Sequence, residues 1–167
     1  MEPIMTRLKA IDTVFANSLY FASSLLARQV DKLAREVWKP SGLPPAQGYL
    51  LLHIRRDRSC SFPYFISRRL LLSPGAVTHL VNELEKKELV YRYTEKHWTY
   101  IQSTQKARDL EPILVQCEQD LIDRCEALLG ADVGALTSLM NQAADKLYEK
   151  IPAQPKAREG LKRSMHR

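Results

Sequence analysis

Cysteine is scarce in this 167-residue chain, which carries only Cys60, Cys117 and Cys125. An odd number argues against a disulfide framework. No two of the three lie two to four residues apart, the spacing of a structural zinc site. The usage fits a reducing compartment, and a cytoplasmic protein is expected. No apolar run approaches the ~20 residues needed to cross a bilayer. The N-terminus lacks the basic-then-apolar order of a signal peptide, so no membrane partner is expected. The four histidines, His53, His79, His97 and His166, are scattered and have no i+4 companion, which leaves no metal site to predict. Also missing are a glycine-rich phosphate loop, a nucleophile beside a base and a carboxylate pair held by a motif. Neither an enzyme nor a cofactor-binding protein is expected.

Charge, by contrast, is plentiful and uneven. The formal net charge is +6, with net +2 over residues 1–40, +4 over 41–103, −4 over 104–150 and +4 from 151 onward. A basic middle and tail beside an acidic stretch point to a polyanionic partner approached from one side.

Apolar spacing then sets out the elements. From Thr6 to Trp38, residues Leu8, Ile11, Phe15, Leu19, Ala22, Leu26, Val30, Leu33 and Val37 recur every three or four positions, which predicts one long helix. Such a helix would span about 45 Å, more than a small domain covers by itself, and so calls for a second chain. "KPSGLPP" ends it, since proline cannot continue the ladder. A second helix is expected over Pro45–Arg56. A third is expected over Phe62–Leu71, with Phe65, Ile66 and Leu70 inward and Arg68 and Arg69 outward. In "SPGAVTHLVNELEKK", Ser73 is a good N-cap, Pro74 suits the first helical position, and Val77, Leu80, Val81 and Leu84 form an apolar stripe. "LVYRY" and "WTYIQ", joined by "TEKH", read as a hairpin. Two further helices follow, one capped by Thr104 and one running from Val133 to Ile151. The fold class is therefore mainly α with a small two-stranded β-wing: a winged helix-turn-helix flanked by long dimerisation helices. The divisions are an N-terminal dimerisation helix (1–40), the winged helix-turn-helix (41–103), C-terminal dimerisation helices (104–151) and a basic tail (152–167).

This order suits duplex DNA. A helix about 10–12 Å across fits a major groove ~12 Å wide, with the hairpin reaching toward the neighbouring backbone or minor groove. Gly75 and Ala76 permit close approach, while Ser73, Thr78, His79 and Asn82 offer hydrogen bonds to base edges.

"SGLPPAQGYLLLHI" and "ISRRLLLSPGAVTHLVNELEKKELVYR" resemble the second to fourth helices of MarR-family regulators, with "AVTHLVNELEKKELV" in place of that family's usual T-V-T-R-L-V-x-x-L-E-x-x-G-L-V. The resemblance runs from about residue 5 to 150. It implies a homodimeric bacterial transcription factor, commonly a repressor, bound to a pseudo-palindromic double-stranded DNA operator and in many members released by a small aromatic effector. By the same resemblance Ser73, Gly75, Thr78, His79 and Asn82 would face the major groove. Ser61, Arg68, Arg69, Arg92, Lys96 and His97 would meet phosphates, and Tyr49 and His53 would lie where the family binds effectors. The sequence departs from the pattern in three places. The wing lacks the family's Asp-x-Arg arginine, Glu88 replaces the glycine after the recognition helix, and "TQKA" replaces Thr-x-x-Gly. Cys60, beside Arg56 and Arg58, is the cysteine whose thiolate those charges would favour. Because winged helices are also reused for docking, a protein-interaction module with weak or non-specific DNA binding is the alternative.

Overall fold

The computed structural model describes residues 17–56, 62–95, 97–130 and 132–150. The chain divides into two compact units, residues 1–122 and 123–167.

In the first unit α1 spans Leu19–Val37, and the long helix predicted from Thr6 does not run through unbroken. Ser18 is extended (φ −81°, ψ 116°) and its hydroxyl accepts the Phe21 N–H at 3.3 Å. A side chain that captures a free N–H of the first turn starts a helix and does not continue one. The portion of the prediction before residue 17 lies outside the described residues. After α1 comes a 3-10 turn at Lys39–Ser41, closed by Gly42 at φ +68°. The Ser41 hydroxyl stabilises this corner, donating to the Trp38 carbonyl at 2.7 Å and accepting the Leu43 N–H at 3.0 Å.

Helix α2 (Pro45–Arg56) supplies Leu50, Leu51 and Ile54 to the core. Trp38 is fully buried against it at Gly48, where an added Cβ would sit 1.9 Å from an indole carbon. The short α3 (Pro63–Arg69) ends in a turn that holds Leu71 at φ +51°. This turn is held by Leu72 N–H donating to the Ser67 carbonyl (3.0 Å) and the Ser67 hydroxyl donating to the Leu72 carbonyl (2.6 Å). Ile66 is inward as predicted, but Phe65 is 42% exposed, because α3 turns Ile66 and Ser67 to the core and Phe65 lies nearly opposite Ser67 around the helix.

Helix α4 (Pro74–Lys86) begins as its sequence dictates, with the Ser73 hydroxyl accepting the Ala76 N–H at 3.1 Å and proline at the first position. Val77, Val81 and Leu84 are fully buried and anchor it against α2 and α3. Complete burial of each aliphatic side chain contributes about 1.5–3 kcal/mol. At the far end, Glu88 N–H donates to the Glu85 carbonyl (2.8 Å) and Leu89 N–H to the Leu84 carbonyl (3.0 Å). That is a Schellman closure, with Glu88 left-handed at φ +60° and Leu89 buried beside Leu84.

Strands β1 (Val90–Glu95) and β2 (Trp98–Ser103) pair antiparallel, from Val90 opposite Ser103 to Glu95 opposite Trp98. Val90 and Ile101 are buried. Helix α5 (Gln105–Leu129) is capped by Thr104, whose hydroxyl accepts the Ala107 N–H at 3.3 Å, and Ala107, Leu114, Cys117 and Leu121 form its buried face.

The second unit holds the end of α5 and α6 (Val133–Lys150). Leu136, Leu139, Met140 and Leu147 on α6 fall at helical spacing and are all exposed. No helix among the described residues is long and apolar enough to cross a membrane.

Candidate nucleic-acid interface

With Val77, Val81 and Leu84 turned into the core, 3.6-residue periodicity carries Gly75, His79, Asn82 and Lys86 to the opposite side of α4. Gly75, Thr78, His79 and Asn82 are all exposed. A Cβ at Gly75 would meet nothing within 4 Å, so the space in front of this turn is open. Two of the polar groups are already partly engaged. Ser73 serves as the cap, and the Thr78 hydroxyl donates to the Pro74 carbonyl at 2.9 Å. Along the same helix, the Lys86 ammonium donates to the Glu83 carboxylate at 2.7 Å. This bond, together with the charge of Lys86, holds the Glu83 carboxyl below its usual range.

Arg92 on β1 is drawn onto the helix. Its guanidinium pairs with the Glu85 carboxylate, its backbone N–H donates to the other Glu85 oxygen at 3.0 Å, and Nη2 donates to the Asn82 side-chain oxygen at 2.7 Å. The helix's outward face and the wing's first strand are thus joined through three side chains. Sequence reasoning assigned Arg92 and Asn82 separate tasks and did not single out Glu85. An acidic residue at 85 and a basic one at 92 are ordinary surface residues until the Schellman turn folds β1 back along α4.

On α3, Arg68 Nη1 donates to the Tyr64 hydroxyl at 3.2 Å, with the guanidinium carbon 6.0 Å from the ring centre. His97 is exposed in the wing turn at φ +73°. Ser61, Lys96 and Cys60 lie outside the described residues. The wing is braced by an aromatic set that sequence reasoning also missed. Phe62 lies 5.5 Å from Trp98 and 4.5 Å from Tyr100, and Tyr100 stacks on Tyr93 at 4.9 Å. Aromatics two apart on each strand (Tyr91 and Tyr93, Trp98 and Tyr100) were the available signal, since period two places them on one face.

Tyr49 and His53 come together in a cavity of about 390 Å³ shared with Leu52, Arg56, Arg69 and Glu118. The Tyr49 hydroxyl donates to the Glu118 carboxylate. Arg56 was legible as one turn beyond Leu52 and His53 on the same helix, whereas Arg69 and Glu118 arrive from α3 and α5 by tertiary packing. A larger, mostly apolar cavity of about 490 Å³ lies on another flank of α5, between Leu43, Leu89, Leu110 and Ile113, with Lys87 and Lys106 in its lining. Among the described residues no cluster of His, Cys, Asp or Glu could hold a metal ion.

A short helix, a tight turn, a capped helix with an open polar face and a two-stranded hairpin together define a winged helix-turn-helix. Residues 41–97, the segment that holds the winged helix, match the family model described as MarR family. Solved structures agree across most of its length. A MarR mutant from E. coli complexed with operator DNA is 25% identical, with 75% of this chain and 92% of that one covered and a TM-score of 0.66. The S. aureus MepR–DNA complex is 15% identical over 81% of this chain and 99% of that one (TM-score 0.66). CouR from Rhodococcus jostii RHA1, bound to p-coumaroyl-CoA, is 15% identical over 86% and 100% (TM-score 0.67). No curated protein sequence matches the chain. The fold is thus the winged helix-turn-helix of these solved structures.

Proposed function

We propose that this protein is a sequence-specific, DNA-binding transcriptional repressor that holds a pseudo-palindromic operator as a homodimer. The observation that carries the reading is the outward face of α4, open in front of Gly75 and lined by Thr78, His79 and Asn82, set beside a braced wing. Small neutral groups suit base edges. Arg68 and Arg69, exposed at the end of α3, suit the phosphates. Solved relatives of the same fold in complex with DNA support the assignment.

Dimerisation is supported by apolar surface that a lone chain leaves wet. In the first unit Leu19, Tyr20 and Val30 of α1 are exposed, and in the second the α6 stripe is. A second copy is the covering the family provides, and it sets two recognition helices about 34–36 Å apart, one turn of duplex. The Tyr49–His53 cavity, with Arg56 and Arg69 in its lining, suits a small aromatic anion that would bias the lobe through Arg69.

Selection of bound fragments from genomic DNA, followed by titration at two salt concentrations, tests the reading. An inverted repeat bound far more tightly than random duplex is expected. Weak binding indifferent to sequence would reject it in favour of a protein-docking module.

A further inference from the structure

The cluster of Glu85, Arg92 and Asn82 sets the hydrogen-bonding polarity of the reading face. Resting on the DNA-binding role above, we infer that Asn82 addresses its base as a hydrogen-bond donor and prefers guanine, with Arg92 and Glu85 as the residues that fix this choice. A guanidinium has only donors, so the Asn82 atom that faces Arg92 Nη2 at 2.7 Å is the carbonyl oxygen. Glu85 holds Arg92 in that position from two sides, through the guanidinium and through the Arg92 backbone N–H at 3.0 Å. The amide therefore cannot turn over without setting its NH₂ against a cation. Its Nδ2 group has no partner among the described residues and remains for an incoming ligand. Thr78, one turn earlier, has committed its hydroxyl proton to the Pro74 carbonyl, so it turns lone pairs and a methyl outward and does not duplicate the donor.

In the major groove, guanine presents the acceptors N7 and O6, whereas adenine presents one acceptor and one donor. The usual asparagine–adenine pairing needs both ends of the amide side by side against the base. With the carbonyl end turned to Arg92, the amide end leads and an edge without a donor is the better match, and guanine's two acceptors receive it better than thymine's single O4 beside a methyl group. The remaining guanidinium N–H groups beside it add to the same preference.

The test is selection from a randomised duplex library with wild type, Asn82→Asp and Arg92→Met. Failure of wild type to enrich any sequence would count against the DNA-binding role itself, separately from this inference. If a site is enriched, one position in each half should show guanine and should lose its preference in Asn82→Asp, which keeps the Arg92 partner but no donor. Replacing that guanine with 7-deazaguanine should weaken wild-type binding on the order of tenfold. Arg92→Met, which releases the amide, should raise adenine at that position by a similar factor and leave other positions unchanged. Adenine, cytosine or thymine at the Asn82-dependent position in wild type overturns the inference, as does an Asn82→Asp profile identical to wild type. An Arg92→Met profile that keeps guanine while its melting curve stays native also overturns it. If Arg92→Met does not fold, the wild-type base, the 7-deazaguanine result and the Asn82→Asp profile decide.

Discussion

Replacing Glu88 by glycine should stabilise the protein even though it removes an ion pair. Glu88 sits at φ +60°, where an L side chain costs roughly 1–2 kcal/mol. Glycine relieves that strain but loses more conformational entropy on folding, about 0.5–1 kcal/mol. The ion pair with Lys106 is 3.3 Å long and its side chains are 60% and 82% exposed, so solvent screens it to a few tenths of a kcal/mol at most. The backbone bonds of the turn do not depend on the side chain, and Thr104 still donates to the Glu88 carbonyl. At mid-range values the net gain is about 0.5 kcal/mol, which for a chain of this size raises Tm by roughly 1–2 °C. Glu88→Ala isolates the cause, because it loses the ion pair and keeps the strain. It should sit a few tenths of a kcal/mol below wild type. Urea and thermal unfolding at one fixed protein concentration would measure all three, since the proposed dimer would couple stability to concentration. A glycine variant no more stable than the alanine variant would refute the strain argument.

Gly48→Ala should destabilise despite alanine's better helix propensity of about 1 kcal/mol, because the new methyl meets the Trp38 ring at 1.9 Å and overpacking costs about 1–3 kcal/mol or more. In a Trp38→Leu background the same change should be neutral or favourable, and calorimetry of the four-member cycle would show the coupling. Burial pushes the Cys117 thiol above its ordinary pKa, so alkylation followed by mass spectrometry at pH 8 should label Cys117 only on unfolding. Rapid native labelling would contradict its place in the core. Arg68→Ala and Arg69→Ala should each weaken binding to every duplex and reduce the salt slope by ~1. Unchanged slopes would remove both from the phosphate contacts.

Local chemistry accounts for how much of the fold was legible. Ser73 and Pro74 start α4 because a hydroxyl cap and a preset φ act within one turn. The α4 stripe and the strand alternation are periodic and need no partner to be read. The apolar spacing that predicts one helix from Thr6 continues through Ser18, where the described helix starts. Periodicity does not register a serine that caps the following turn and does not sit within the helix. Composition places Phe65 inward, and it is the rotation of α3, which seats Ile66 and Ser67 in the core, that turns it out.

The candidate site divides along the same line. Which residues carry hydrogen-bonding groups on the outward face of α4 follows from the sequence, since helix geometry alone puts Gly75, His79 and Asn82 opposite Val77, Val81 and Leu84. What those groups offer to a ligand does not. The donor end of Asn82, the engagement of Arg92 and the meeting of Tyr49 and His53 with Arg69 and Glu118 depend on contacts between elements far apart in the chain. Secondary structure is encoded by neighbours within a turn or a strand. The polarity of a reading face is settled only when a strand folds back and brings a cation to one end of an amide.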